Sequence, residues 1–519
     1  MKRVISLAVI LLLGLGAQSA VAQQTSAASS KPLQQLQRAV TAIGGADALK
    51  KLQSLTVRAT AKHWEPEQSM VAGGPPRPLG SSQLTIVADR SQGSVRIERD
   101  HKMDYPFPGT EKYTEIITPS WGAIIDDKGE RPMSAARLAF ELREQERASP
   151  GLVAYALAHP QQVSAAPDQK LGGKTYPAVA FTDRGTEFLI LFDRQSNLPI
   201  AIRTMEDDVI HGDGVFDLIL GDWKTVAGVK LATSLSYKFN GLAKLDIAYN
   251  DIMPNAPIAP KAFAVSDTTK QAAKPPASGD IPWQAILGSI NFGRYDDLAE
   301  EKNAGQPVQV KLVELAPDVS QILGRSHNSL VVAMQSYLVV FDAPQNDEYS
   351  RAAIALIKAK YPGKPIRYLV MTHHHMDHLG GARTYIGEGA TLIMGAPDKA
   401  YIQKELAGPH KMHADTLQQH PKPVRVTEVK DKMVLKDGEE IDIFRIPNGH
   451  AEGMLTMYVA GPKIVWVTDI YVPTPQAGKN PENTAFHETI KKLGLSPALY
   501  AGGHGTVATE ESYQAMLAK

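Results

Sequence analysis

The chain has 519 residues, 43% hydrophobic and 21% charged, which is ordinary for a globular protein and long enough for two or three domains with proper cores. Its 55 Lys and Arg balance 55 Asp and Glu, so it lacks the electrostatic footprint of a nucleic-acid or acidic-membrane binder. Cysteine is absent, which excludes disulfides, thiolate metal ligands, a Cys nucleophile and lipidation of a cysteine behind a leader.

The start reads as a signal peptide over residues 1–22. Lys2 and Arg3 form a basic region, Val4 to Gly16 a short apolar core, and Ala20-Val21-Ala22 the small residues of a cleavage site. The core is too short for a comfortable membrane span, and no later segment is apolar enough for one. The expectation is a periplasmic or secreted protein with no transmembrane segment once the signal is removed.

Gln23 to Lys31 is Ser/Ala/Gln-rich and reads as disordered. Leu33, Leu36, Val40 and Ile43 repeat at helical spacing, Gly44-Gly45 stops that helix, and a second short one follows over Ala46 to Leu52. From Leu55 the period shifts towards two. Strands are predicted over Leu55–Ala61, Gln83–Ala88, Ser94–Arg99 and Lys112–Thr118, with a Gly/Pro loop at Gly73–Pro78. Ser134–Arg147 reads as a helix, and Ser149-Pro150 as the cap and first position of another. Further strands are predicted over Ala178–Thr182, Glu187–Asp193, Pro199–Thr204, Gly214–Trp223, Val229–Lys238 and Lys244–Ile252.

Residues 33–263 thus form a mainly antiparallel β domain without a visible catalytic cluster. His63, His101, His159 and His211 are isolated there and read as surface or packed residues. The run of broad strands, with phrases such as Asp193-Arg194-Gln195-Ser196-Asn197-Leu198-Pro199, resembles the curved half-barrels of periplasmic lipoprotein carriers. That resemblance implies an acyl-chain cradle; a scaffold or dimerisation role is the alternative. Residues 264–280, with Lys274-Pro275-Pro276-Ala277-Ser278-Gly279, read as a linker, and Ile281–Ala304 as partly helical.

The pattern sharpens over residues 281–519, which read as the catalytic domain. Strands are predicted in two groups, the first ending in Ile366–Met371 and the second including Glu440–Arg445, Met454–Val459 and Lys463–Val467. Helices are predicted over Tyr349–Lys360, Gly381–Gly387, Pro397–Leu406, Asn483–Lys492 and Thr509–Ala518. Two groups of strands with helices between and after them predict two packed sheets with helices outside, an α/β chain ending in an αββα sandwich.

The strand Ile366–Met371 runs into Thr372-His373-His374-His375-Met376-Asp377-His378-Leu379-Gly380-Gly381. On an extended backbone His373 and His375 share a face and His374 takes the other. Three later positions fall where strands run out: His450 in a Gly-rich turn, Asp469 after Ile464-Val465-Trp466-Val467-Thr468, and His504 in Gly502-Gly503-His504-Gly505. Together these supply five imidazoles and two carboxylates, a set that suits two divalent ions, with zinc favoured and Fe or Mn as alternatives.

The set H-x-H-x-D-H, a later His, an Asp after a strand and a final G-H-G resembles the metallo-β-lactamase superfamily over about Val308–Lys519, and Asp342 matches that family's Asp at the end of an early strand. The resemblance implies that His373, His375 and His450 bind one zinc and Asp377, His378 and His504 a second, with Asp469 bridging. His375 in place of Glu argues against the di-iron flavoprotein branch, and Asp469 looks like the glyoxalase II, lactonase and phosphodiesterase type. The implied function is a binuclear hydrolase that uses a metal-bridged hydroxide on an ester, lactone, thioester or related bond of a small molecule, with Asp377 as proton carrier. A mononuclear-iron sulfur dioxygenase and a zinc β-lactamase are the alternatives. Thr372, Asp342 and Asn328 are expected to orient ligands; His327 and Tyr471 to touch substrate; and His410, His413, His420 and His487 to lie on the surface. Specificity is expected in the loops Lys411–Pro423 and Val472–Pro481.

Overall fold

The computed structural model describes residues 30–105, 108–277 and 308–519. The segment read as a signal peptide and the helical reading of Ile281–Ala304 lie outside the described residues. Among those described, no helix is long and apolar enough to cross a membrane.

The N-terminal region is built on a thirteen-stranded antiparallel sheet. Its first strand, Ser54–Glu65, pairs with its last, Leu242–Pro254, in the middle of the sheet, so both ends of the region meet at its centre. Side chains alternate along Ser54–Glu65, and Val57, Ala59 and Ala61 face a core with Phe140, Phe216, Leu218 and Phe239. The helix Ala135–Arg147 covers that face, with Ser134 capping the Arg137 N–H. Several strands, such as Ser54–Glu65 and Arg77–Asp89, are longer than the sequence reading, and Gly122–Asp126 and Gly129–Pro132 add to them, because pairing extends past the apolar alternation.

Three local expectations change. The helix after Ala148 is Leu152–Ala158 with Gly151 at its cap, because the Ser149 hydroxyl is taken up by the Gly151 N–H in a turn. The Val229–Lys238 strand is broken in two at Ala232-Thr233. The predicted linker contains a helix, Asp267–Ala272, capped by Ser266.

The C-terminal region is an αββα sandwich. Its seven-stranded sheet runs in chain order from Lys311–Ala316 to Val426–Val429, antiparallel at first and parallel from Leu338–Phe341 onward. Its six-stranded partner runs from Lys432–Asp437 to Val507–Thr509. Val339, Phe341, Val370 and Ile393 of one sheet meet Ile443, Met457 and Trp466 of the other in a fully buried layer. Asp347–Lys360 and Ala382–Glu388 cover the first sheet, and Pro481–Lys492 and Glu510–Leu517 the second. Strands buried on both faces read as continuous apolar runs, which is why the sequence displayed them clearly.

Candidate metal centre

Four strand ends converge at one rim of the sandwich. Ile366–Val370 stops, and Met371 still reaches the neighbouring strand through its N–H to Ile393 O at 2.9 Å. The chain then turns through His373 to His375 into the short helix Met376–Leu379, which carries Asp377 and His378 in one turn. His450 is set by an Asx turn in which Asn448 Oδ1 accepts the N–H groups of His450 and Ala451 at 2.8 and 2.7 Å. Asp469 stands just beyond Ile464–Val467 in the left-handed region (φ 51°), a conformation Asp adopts more readily than bulkier residues. His504 follows Leu499–Gly502, and the Asn328 side chain donates to the carbonyls of Gly502 and Gly505, both at 2.9 Å, to hold that turn. Gly503 is needed there, because an added Cβ would lie 2.6 Å from the Thr468 hydroxyl.

These turns bring together all seven residues singled out in the sequence. One ligand atom from each of His373, His375 and His450 falls in a group spanning at most 4.8 Å, and the same holds for His327, Asp377, His378 and His504. His373 Nε2 and His450 Nε2 are 3.2 Å apart, as are His378 Nε2 and His504 Nε2. Asp469 lies between the groups: its Oδ2 is 3.3 Å from His373 Nε2, 3.4 Å from His450 Nε2 and 3.1 Å from His378 Nε2, and its Oδ1 is 2.9 Å from His504 Nε2.

The outer nitrogens of the imidazoles are held from behind. The Thr372 hydroxyl donates to Asp342 and lies 3.1 Å from His373 Nδ1, whose N–H it can accept. His504 Nδ1 donates to Ser326 O at 3.1 Å, and His378 Nδ1 faces Asp342 Oδ2 at 3.6 Å. These contacts leave the Nε2 lone pairs pointing inward. His375 is reversed: its Nε2 donates to the carbonyl of Ser69 at 3.0 Å, and its buried Nδ1 has no protein partner. Such an orphaned nitrogen, beside two more nitrogens and a carboxylate, fits a bound cation.

The charges agree with that fit. Burial, with His375 and His378 beside it, holds His373 well below the ordinary imidazole value, and burial with His450 and His374 does the same for His375. Burial opposes the ionisation of Asp469 and Asp377, but the surrounding imidazoles, His378 foremost, keep both carboxyls well below the usual range. Burial also opposes a proton on His378, yet Asp469 and Asp377 draw one there. A cation placed between them answers the same demand.

Residues 322–504 match the model of the Metallo-beta-lactamase superfamily. The matched stretch lies within the C-terminal sandwich and is about a third of the chain. An (R)-specific secondary-alkylsulfatase of a Pseudomonas species is 33% identical over 119 residues, 22% of this chain. The match spans only 18% of that relative's length. The structure of a stereoselective inverting sec-alkylsulfatase from Pseudomonas overlaps 40% of this chain and 40% of its own, at 21% identity and a TM-score of 0.32. A metallo-beta-lactamase from Pontibacter korlensis overlaps 40% of this chain and 98% of its own, at 16% identity and a TM-score of 0.32. Over residues 322–504 the chain is thus similar to the metallo-beta-lactamase superfamily, and that stretch brings a His/Asp cluster to its strand ends.

Several sequence expectations at the rim change within this metallo-beta-lactamase frame. Tyr471 is stacked on Tyr513 (4.1 Å, 5°) and packed into the outer helical layer, so it does not face substrate. His410 is buried in its loop against Asp415, and His487 is buried on the inner face of the helix Pro481–Lys492, against Gln514 of the closing helix. His374 does turn away, towards Asp398 and the Ser69 carbonyl. His327 comes closer than expected, with Nε2 3.1 Å from Asp377 Oδ2. Gln68, Ser69, Arg77 and Tyr105 were not anticipated at all. Gln68 donates its amide to Asp377 Oδ1 at 2.8 Å, Arg77 donates to His450 O at 2.6 Å, and the Tyr105 hydroxyl lies 3.5 Å from His450 Nδ1.

Proposed function

We propose that the protein is an exported hydrolase holding two zinc ions per chain and cleaving an ester-type bond in a small molecule. The observation that carries this reading is the position of Asp469, whose carboxylate stands within 3.4 Å of imidazole nitrogens from both groups. In this reading His373, His375 and His450 hold the first ion, Asp377, His378 and His504 the second, and Asp469 both. Imidazole-rich ligation favours zinc, with Fe or Mn as alternatives. The completeness of the second group argues against a one-iron oxygenase.

When bound, a pair of divalent ions supplies hydroxide at neutral pH and polarises the oxygen of the bond to be cleaved. The chain's residues do the rest. Asp377 receives the Gln68 amide on one oxygen and faces His327 on the other, so its carboxylate is fixed and able to take a proton from the attacking water and pass it to the leaving group. Asp342 and Thr372 hold His373 in one orientation.

Sulfate esters are the first substrates to try, because the relative that matches over 119 residues is named an alkylsulfatase; carboxylic esters, lactones, thioesters and β-lactams follow. The basic and apolar start of the chain, with its small-residue cleavage site, supports export to the periplasm or beyond. The test is hydrolysis of that substrate panel by the full chain before chelation, after it, and after zinc is restored. Activity that chelation abolishes and zinc recovers is expected. Activity untouched by chelation, or thiol-dependent oxygen uptake with one iron per chain, overturns the proposal.

A further inference from the structure

The segment from Pro66 to Arg77 leaves the strand Ser54–Glu65, crosses the rim of the metal centre, and returns as the strand Arg77–Asp89. It is fastened to the C-terminal sandwich along its length. Glu452 donates its N–H to Met70 O at 2.8 Å, Ala72 packs on the helical layer, and Gly73 (φ 69°) lies so close to the Tyr401 ring that an added Cβ would strike it. Arg77 donates to both Gln68 O and His450 O, and its guanidinium lies over the Tyr105 ring at 4.5 Å.

At its base the strap meets a second acid–imidazole group, Glu67, Asp208 and His211, whose ligand atoms lie within 4.8 Å. This group carries its own counter-charges. His211 Nδ1 pairs with Glu405 at 3.0 Å, Lys244 with Glu65 at 2.6 Å, and Asp208 Oδ1 accepts the N–H groups of Ile210 and His211. It therefore pins the strap between the two regions.

An imidazole that ligates through one nitrogen needs its other N–H held, and such outer contacts fix ring orientation and metal affinity. The sandwich supplies them for His373 through Thr372 and for His504 through Ser326, while Asp342 Oδ2 stands 3.6 Å from His378 Nδ1. For His375 the acceptor is the Ser69 carbonyl, and for His450 it is the Tyr105 hydroxyl, which itself donates to Gln68 Oε1 at 3.1 Å. Gln68 then donates to Asp377. One short stretch thus reaches both groups of the centre. We infer that the N-terminal region is a working part of the metal centre, in which Ser69, Tyr105 and Gln68 are positioning residues for His375, His450 and Asp377.

This inference rests on the metallohydrolase reading, and its test separates the two. Zinc affinity by chelator competition and the visible spectrum of the cobalt-substituted protein are measured on the full chain, on Tyr105→Phe and Gln68→Ala, and on a chain with residues 68–76 replaced by Gly-Ser-Gly. The strap replacement is expected to weaken zinc about 10- to 100-fold and to change the cobalt spectrum, and Tyr105→Phe to weaken zinc about tenfold. Gln68→Ala is expected to shift the pH profile of kcat while retaining both ions. If the strap replacement does not fold, the two point variants decide. Unchanged zinc affinity, cobalt spectrum and pH profile in folded variants, with the parent chain binding two ions, overturns the inference alone. A parent chain that binds no divalent ion overturns the metallohydrolase reading instead.

Discussion

Asp342 holds Thr372 by two hydrogen bonds to one oxygen, from the backbone N–H at 2.7 Å and from the hydroxyl at 2.9 Å. Its other oxygen accepts Trp466 Nε1 at 3.0 Å, so one buried carboxylate ties the loop of His373 to the opposite sheet. Asp342 does this from a left-handed backbone (φ 57°), which few side chains adopt without cost. Asp342→Ala would leave three donors unsatisfied and is expected to cost about 3 kcal/mol or more of stability and about 100-fold in kcat/KM. Asp342→Asn tolerates the backbone and should fall between the two. Urea denaturation and initial rates check both variants.

Metal removal should show in stability as well as in activity. The imidazoles of the first group come from beyond the Ile366–Val370 strand end and from the turn at His450, which lie on different sheets. Ions bound only by the folded state stabilise it by about 2.7 kcal/mol for each site at a free concentration of 100 times Kd. Chelation is expected to lower the Tm, and zinc to restore it; an unchanged Tm would contradict the site as a bound-ion centre.

The seam between the regions carries a pH dependence. Burial opposes a proton on His211, but Asp208 and then Glu405 raise its pKa above the ordinary 6.5. The hydrogen bond from His211 takes Glu405 down to about 2. A raised imidazole contributes fully below its unfolded value and loses that contribution as pH rises through its folded value. A lowered carboxyl contributes fully above its ordinary 4.5 and loses it as pH falls towards about 2. The pair is therefore strongest from about 4.5 to 6.5 and weakens on the alkaline side as His211 loses its proton. His211→Gln is expected to be less stable than the parent in mild acid and to converge with it in alkali, by denaturation at the two extremes.

Gly73 gives a steric handle on the strap. Its φ of 69° and the Tyr401 ring exclude a Cβ, so Gly73→Val should push the strap off the sandwich. Activity is expected to fall at least tenfold while the folded content seen by circular dichroism is retained.

The candidate metal centre was legible in the sequence because its parts are local. H-x-H-x-D-H places four of the seven residues within six positions, and His450, Asp469 and His504 stand at the ends of apolar runs that display two-sided burial. Turns at the strand ends bring these seven residues to one rim of the sandwich. The strap was illegible for a physical reason. The Ser69 contribution is a backbone carbonyl, which has no side-chain signature, and it meets His375 across 306 positions of sequence. Gln68 ends a single helical turn, Arg77 begins a strand and Tyr105 follows one, positions that no periodicity marks. Tyr471 misled because proximity in sequence to Asp469 does not fix the side of the sheet a ring takes, and its ring stacks on Tyr513 instead.

The sharing of Asp469 by two ions is read from the metal content of the purified full chain beside Asp469→Ala, measured by elemental analysis together with hydrolysis of the best panel substrate. Two zinc ions per chain in the parent are expected, with at least one lost and activity down about 1,000-fold in the variant, within the range of a several-kcal/mol loss of transition-state stabilisation. Two ions and full activity retained in Asp469→Ala, or an active parent chain without any divalent ion, would contradict the account.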